Sequence, residues 1–288
     1  MNKNKRIIII FVLIVIGISI FCISNAYEER IVLREKLDRI DVYTPFKKTT
    51  NFKGENRERY VRFYEMNKNL SYEEVVTRVN IGLDYGFYNY ITLADTKKDI
   101  LILTNKYLKL DDDYKPVDLE KINREYFING NSKVSYMRKD ARRAFEMMSA
   151  DSIKNNTPVY GQSAYRSFEK QRTLFNDAAL RYGKESADLD TARPGHSEHQ
   201  TGLAIDVSST KNGNMLDFEN TDSFNWMVNN AYKYGFILRY PKGKEKIHGY
   251  VYEAWHYRYV GIEVAADMYN NYSDLTYDEY YYKFLDTK

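Results

Sequence analysis

The sequence predicts an α+β fold in which helices flank a small antiparallel sheet. In the C-terminal half, apolar residues recur at helical spacing in several segments, and short strand-like runs separate them. These runs do not alternate regularly with helices, which argues against a parallel sheet. Apolar residues make up 43% of the 288 residues, which is enough for a globular core. We expect one compact domain preceded by an N-terminal transmembrane anchor.

Residues 1–26 carry the predicted anchor. Three basic residues precede an uninterrupted apolar run over residues 7–23. The run is long for a signal-peptide core and slightly short for a membrane span, which takes roughly 20 residues. We favour an uncleaved single-pass anchor, although the small residues 24–26 would also suit a cleavage site. In either case the basic flank stays in the cytoplasm and the rest of the chain is exported.

The remaining chain divides into three predicted parts. Residues 27–58 are charged, lack sustained periodicity and are predicted to be a stalk. Residues 59–116 form a small N-terminal subdomain, or an edge of the main one, with no recognisable chemistry. The main domain covers residues 117–288. The single cysteine lies in the apolar run, so no disulfide stabilises the exported part, and a net charge of +3 gives no reason to expect nucleic-acid binding.

The elements of the main domain follow from spacing and end signals. Helices are expected where Met137 to Met148 and Leu174 to Tyr182 recur on one face, with both Met147 and Met148 in the core. Ser167 and Thr221 are candidate N-caps, and Gly183 and Gly235 are candidate helix ends. Strands are predicted in "VYGQSAYRS", "GLAIDVS", "FILRY" and "YVYEAWHYRYVG", followed by a last helix from about Ile262.

The stretch "RPGHSEHQTGLAIDVS" holds two of the four histidines in the chain. In a strand, Leu203, Ile205 and Val207 share an apolar face, and Asp206 lies opposite, next to small residues. On one straight strand His199 and Asp206 would be about 23 Å apart, at roughly 3.3 Å per residue. If both bind one ion, the chain must fold back between them, and Gly202 allows such a bend.

A second stretch, "EAWHYRYVG", supplies the remaining parts of a hydrolytic zinc site. His199, Asp206 and His256 would be three ligands, which leaves one coordination position for water. Glu253, three residues before His256, would be the base that takes the proton of this water. His196 is expected to be a loop residue or a hydrogen-bond donor behind the ligands, His248 to be solvated, and Glu198 to form a surface ion pair.

The stretch "SAYRSFEKQ" places Arg166 where a strand gives way to a helix. An arginine at such a junction suits a substrate carboxylate or a developing oxyanion. A salt bridge with a neighbouring acid is the competing interpretation. Gln171, in the first helical turn, could hydrogen-bond a peptide.

Together, "SAYRS…Q", "SEHQTGLAIDV" and "EAWHYRYVG" resemble the signature blocks of the VanY/LdcB-type D-alanyl-D-alanine carboxypeptidases, the M15 zinc peptidase family. The resemblance covers roughly residues 135–270. It implies a hedgehog/DD-peptidase-like α+β fold, one Zn²⁺ per catalytic domain, and removal of a C-terminal D-alanine from peptidoglycan stem peptides. It also implies zinc ligation by His199, Asp206 and His256.

The resemblance also implies the roles of four other residues. Glu253 is the expected base and Arg166 the transition-state or substrate arginine. Ser197 resembles the serine that helps hold the terminal carboxylate of the substrate, and Gln171 corresponds less closely to a substrate-binding residue.

Two alternatives stay open at this point. The same site could act as an L,D-carboxypeptidase or as an endopeptidase on the same stem peptides, because specificity lies in pocket walls that the motifs do not define. The domain could also be a non-catalytic wall-binding module, with a structural zinc closed by His196 or Glu198 as fourth ligand. An extracellular position, tethered to the cell membrane and facing the wall, is consistent with each of these functions.

Overall fold

The computed structural model describes residues 24, 27–32, 42–128, 134–212 and 215–286. The apolar run predicted to be a membrane anchor lies outside these residues. Among the residues described, no helix is both long and apolar enough to cross a membrane.

The chain divides into two compact units, residues 1–76 and 77–288. The first has an aromatic core inside the predicted stalk and subdomain: Phe46 stacks on Tyr60 at 5.9 Å and meets Tyr72 edge-on at 5.0 Å. This unit contains α1 (Thr44–Lys47), α2 (Arg57–Met66) and the start of α3 (Tyr72–Ile81).

Residues 77–116, which the sequence analysis separated from the main domain, belong to the second unit. Hydrogen bonds account for this difference. The backbone N–H of Leu110 donates to the carbonyl of Gly195 at 2.8 Å, and Arg258 donates to the carbonyls of Ile100 and Ile102. The division of contacts therefore falls after Val76 and not at residue 116.

The remaining elements of the second unit mix helices with short strands. Further short helical segments are 3-10 turns, among them Glu198–Thr201, and a π-helix, Tyr281–Leu285. The strands are β1 (Thr92–Leu93), β2 (Leu108–Lys109), β3 (Leu119–Lys121), β4 (Tyr136–Arg138), β5 (Tyr160–Ser163), β6 (Ala204–Ser208), β7 (Phe236–Leu238) and β8 (His256–Tyr259). The helices are α4 (Lys139–Lys154), α5 (Phe168–Tyr182), α6 (Lys184–Asp190), α7 (Asp222–Asn230), α8 (Glu245–His248), α9 (Ile262–Asn271) and α10 (Tyr277–Tyr280).

A four-stranded antiparallel sheet, in the order β5-β6-β8-β7, lies at the centre of this unit. Its register places Ser163 beside Asp206 and Asp206 beside His256. Because residues paired across a sheet project their side chains to the same face, this register aligns three polar side chains. The predicted α+β class with a small antiparallel sheet is confirmed.

The apolar face of β6 lies in the core, as its alternation predicts. Leu203, Ile205 and Val207 are buried there with Phe145 and Met148 of α4. Met147 is 56% exposed, so the prediction that it belongs to the core is wrong. Adjacent residues on a helix point about 100° apart, and only Met148 faces the sheet.

The N-caps and the helix end predicted at Ser167, Thr221 and Gly183 are confirmed. Ser167 and Thr221 cap α5 and α7 by accepting hydrogen bonds from Lys170 N and Phe224 N. Gly183 follows α5 with a positive φ of 83°, a conformation that favours glycine. The cap of α5 fixes the direction in which the chain leaves β5, and therefore the position of Arg166 just before it.

Candidate active site

The first histidine of the site is held by a tight reversal of the chain. His199 lies in the 3-10 turn Glu198–Thr201, and Gly202 then adopts a left-handed φ of 69° before β6 begins. His199 Nδ1 donates to the Ala164 carbonyl at 2.7 Å, which leaves Nε2 as the free nitrogen. Nε2 lies 3.2 Å from Asp206 Oδ2. The fold-back that a shared ion requires is therefore present.

The second histidine reaches the same carboxylate from β8. His256 Nδ1 lies 3.0 Å from Asp206 Oδ1, as expected for neighbours in the sheet register. Yet this buried oxygen forms no hydrogen bond of acceptable geometry within the described residues. One donor atom from each of His199, Asp206 and His256 lies within 4.8 Å of the others. Two imidazole nitrogens and a carboxylate oxygen that converge in this way are typical of a metal site.

The burial of these three residues shapes their protonation. Burial lowers the pKa of His199, so its imidazole is neutral. Burial alone would raise the pKa of Asp206, but His199 and His256 hold it well below its ordinary value. Burial would likewise lower the pKa of His256, but the carboxylates of Asp206, Glu198 and Glu253 raise it to about 9. The carboxylates around His256 therefore stabilise positive charge at the position that a metal cation would occupy.

Glu253 lies next to His256 without entering the set of converging ligand atoms. A hydrogen bond from His256 N to the Glu253 carbonyl closes the turn between them, and Glu253 Oε2 lies 3.4 Å from His256 Nδ1. Burial raises the pKa of Glu253 to about 8, and Asp206 adds to this effect. A carboxyl group with a pKa near neutrality can both accept and return a proton.

Arg166 points into the same site, held by two side chains. Its guanidinium donates to Gln171 Oε1 at 2.8 Å and to Ser163 Oγ at 2.9 Å, and lies 3.8 Å from Asp206 Oδ2. Gln171 Nε2 donates in turn to the Ala192 carbonyl at 2.7 Å. The structure therefore shows Gln171 supporting Arg166, while its contact with a peptide stays a prediction. The salt bridge that was the competing interpretation of Arg166 is represented only by this long contact with Asp206.

These groups line an open cleft of about 630 Å³. Ser197, Glu253 and Trp255 lie in its wall together with the converging ligands. Other lining residues come from α5 and from the end of α6. A hydrogen bond from Val251 N to the Leu189 carbonyl ties α6 to the loop before Glu253. All the residues predicted for the site are thus brought to one cleft.

Two expectations about neighbouring residues are wrong. Glu198 is not at the surface: its side chain is 0% exposed, and Oε1 accepts from Arg239 at 2.8 Å and from Arg258 at 2.9 Å. His248 is 1% exposed and packs on Tyr240.

His196 lies in a loop, as one of the two expectations for it had it, but it is buried, and its Nδ1 donates to the Asn105 carbonyl at 2.7 Å. It is not part of the cleft wall. Segments distant in the sequence pack on this loop. They bury residues whose neighbouring sequence is polar and typical of a turn.

Arg239 and Arg258 are the functional candidates that the sequence analysis missed. Both side chains are 0% exposed. A signal was present for Arg258, because it follows His256 by two residues on a strand and must share its face. No comparable signal marked Arg239.

Comparisons with known proteins identify the family of the chain. A family model described as VanY, D-alanyl-D-alanine carboxypeptidase, matches residues 134–262. YodJ of Bacillus subtilis (strain 168), a protein named as a putative carboxypeptidase, is 42% identical over 210 residues, which are 70% of this chain and 76% of YodJ.

Two solved structures are also similar. The LdcB LD-carboxypeptidase is 38% identical with a TM-score of 0.62, and the match covers 67% of this chain and 90% of LdcB. A mutant of the vancomycin-resistance D,D-pentapeptidase VanY, solved with Zn(II), is 30% identical with a TM-score of 0.52, and the match covers 62% of this chain and 97% of that one. The chain belongs to the VanY family of D-alanyl-D-alanine carboxypeptidases and is a peptidase of the zinc-dependent type.

Proposed function

We propose that this protein binds one Zn²⁺ and removes a C-terminal D-alanine from peptidoglycan stem peptides. The observation that carries the proposal is the convergence of His199 Nε2, Asp206 and His256 Nδ1 beside Glu253 in an open cleft. The similar LdcB and VanY structures, described as a peptidoglycan-recognising LD-carboxypeptidase and as a D,D-pentapeptidase with Zn(II), support the substrate class and the metal.

The donor set fits zinc. Two imidazoles and one carboxylate are ligands that Zn²⁺ prefers, and three protein ligands are typical of catalytic sites, which keep one position open. Glu198 does not complete a closed site, because its Oε2 faces His256 Nε2, the nitrogen on the far side of the ring from Asp206. When bound, zinc supplies Lewis acidity that polarises the scissile carbonyl and lowers the pKa of water.

Glu253 is the proposed base. Its Oε2 lies beside the ligand cluster but is not part of it, so its lone pairs stay available for a proton. Glu253 takes the proton of the attacking water at Oε2 and returns it to the nitrogen of the leaving D-alanine. Burial favours the neutral carboxyl, which makes the first transfer, from water to Glu253, easier.

Arg166 is proposed to stabilise the negative charge that develops on the carbonyl oxygen. Gln171 and Ser163 fix two of its N–H groups, so the guanidinium is oriented before substrate arrives. Ser197, in the wall of the same cleft, is proposed to help hold the terminal carboxylate of the substrate. A free carboxylate at the cut end and a cationic wall explain selection of the last residue of a peptide.

Defined stem peptides test this function. Residues 27–288 are incubated with tri-, tetra- and pentapeptides, with and without a chelator, and the products are identified by mass. Conversion of pentapeptide to tetrapeptide that the chelator abolishes is the expected result.

The other outcomes of this assay identify the alternatives. Conversion of tetrapeptide to tripeptide would assign L,D-carboxypeptidase activity, and cleavage without release of alanine would assign an endopeptidase. Zinc binding without any product would leave a non-catalytic wall-binding module.

We further propose that residues 1–26 anchor the protein in the cell membrane with the catalytic domain outside, facing the cell wall. The support is the basic flank followed by the apolar run over residues 7–23. Added protease should digest the catalytic domain on intact protoplasts, and recovery of an undigested, freely soluble protein would contradict this location.

A further inference from the structure

The side of His256 that faces away from the converging ligands rests on a buried charge network. Glu198 Oε2 lies 3.7 Å from His256 Nε2. Neither of these two buried atoms has a hydrogen-bond partner within the described part of the chain. They face one another at a separation slightly longer than a hydrogen bond, and a small rotation of either side chain would join them.

This pairing matters because the two ring nitrogens of histidine are linked. When Nδ1 binds a metal, Nε2 carries the proton, and an acceptor at Nε2 fixes both the tautomer and the ring orientation. Glu198 Oε2 is in the position of that acceptor. The centroid of the His256 ring lies 4.9 Å from that of Tyr240 and 5.0 Å from that of His199. These contacts restrict rotation of the ring and keep Nε2 directed toward Glu198.

Glu198 is itself held in place by two arginines that extend the network. Arg239 Nη1 donates to Asp278 Oδ2 at 2.6 Å, in addition to the bond from its Nε to Glu198. Arg258, two residues after His256, also donates to Glu198. Two carboxylates and two guanidiniums give no net charge, so Glu198 keeps its negative charge although it is fully buried.

Part of this network lies outside the region that the family model matches. Asp278 is in α10, after residue 262, and its Oδ1 accepts from Asn105 Nδ2 at 2.7 Å. Asn105 comes from the segment 77–116, to which no chemistry was assigned. The carbonyl groups of Ile100 and Ile102 in the same segment hold Arg258. Both ends of the catalytic unit therefore converge behind one candidate metal ligand.

We propose that Glu198 is a positioning residue for His256, and that Asp278 and Arg239 fix Glu198 for this role. Glu198 accepts a hydrogen bond from Nε2, which turns Nδ1 toward the metal. The inference rests on the proposed zinc site. It also gives residues 77–116 and the C-terminal helix α10 a function in metal binding.

Zinc affinity tests the proposal. Zn²⁺ alone is titrated into the catalytic protein in competition with a chelating dye, for the wild type, Glu198→Gln and Asp278→Asn. The glutamine keeps the size and an acceptor for the arginines but presents no anionic acceptor to Nε2. We expect 10–100-fold weaker zinc binding for Glu198→Gln, and a smaller loss in the same direction for Asp278→Asn.

A control variant separates positioning from general loss of stability. Glu146→Gln removes one partner of the Arg142 ion pair on α4, away from the site, and should leave zinc affinity unchanged. A second measurement uses ¹⁵N NMR of the zinc-loaded wild type, in which His256 should carry its proton at Nε2.

The outcomes separate this inference from the proposed function. If folded Glu198→Gln binds zinc within twofold of the wild type, the positioning role is wrong while the zinc site stands. If Glu198→Gln fails to fold, Asp278→Asn decides in the same way. A wild type that binds no zinc contradicts the proposed function itself, and the inference with it.

Discussion

Zinc binding is expected to release protons from the site, and their number reports the protonation state of each ligand. His256 has a pKa of about 9 and is an imidazolium at pH 6.5 in the metal-free protein. Glu253, with a pKa of about 8, is a neutral carboxyl at this pH. His199 and Asp206 already have their lone pairs free, because the pKa of each is lowered.

The magnitude follows from these values. His256 must lose its proton to bind zinc through Nδ1, and a nearby dication favours ionisation of Glu253 as well. The wild type should therefore release close to two protons at pH 6.5, and Glu253→Gln close to one. Each displaced proton weakens the apparent affinity about tenfold for each unit by which the pH falls below the pKa. For the wild type at pH 6.5, the proton on His256 alone lowers the apparent affinity roughly 300-fold relative to fully deprotonated His256.

Calorimetry measures this release directly. Zinc is titrated at pH 6.5 in two or more buffers with different ionisation enthalpies, and the slope of the observed enthalpy gives the proton count. Glu253→Gln serves as the matched variant, because it removes one titrating group and preserves the shape of the side chain. If Glu253→Gln binds zinc without releasing any proton, the reasoning is refuted, because His256 would then carry no proton for zinc to displace.

Three further predictions concern catalysis and stability. Glu253→Gln should retain zinc and lower turnover by about 10²–10⁴-fold in the stem-peptide assay, and a smaller loss would exclude it as the base. Arg166→Met should lower kcat/KM by about 10²–10³-fold with zinc affinity nearly unchanged, whereas an unchanged kcat would remove it from the transition state. Burial lowers the pKa of His248 to about 4, so the unfolded chain takes up its proton first and stability falls as the pH drops below 6.5. The free energy of unfolding is measured with urea for the wild type and for His248→Asn. Between pH 7 and pH 5 the wild type should lose about 2 kcal/mol more than the variant. An equal change in both proteins would contradict this burial effect.

The parts of the site that the sequence predicts are those with a local signature. Alternation in "GLAIDVS" assigns Asp206 to the face opposite Leu203, Ile205 and Val207, and the structure has this arrangement. The caps of α5 and α7 were predictable for the same reason, because a cap depends on residues within one turn.

The charge network behind His256 could not be predicted in this way. Glu198 follows a turn-like sequence and has the appearance of a surface residue, but its partners Arg239 and Arg258 lie 41 and 60 positions further along the chain. Pairing at such separation is decided by the packing of whole segments. The burial of His248 was missed for the same reason, since it follows a turn in which Lys242 and Lys246 are exposed.

The surroundings of His256 argue for a catalytic site over a structural one. Glu198 lies behind the ring, Tyr240 packs against it, and Asp206 and Glu253 approach its Nδ1. Ligand access to a metal at Nδ1 is therefore left to the cleft side, which is where Arg166 is held. Buried ion networks seldom add net stability compared with apolar packing, so four buried charges behind one imidazole are poorly explained as a stabilising core. They are better explained by the need to keep one ligand oriented while the coordination position facing the cleft stays open for water and a peptide carbonyl.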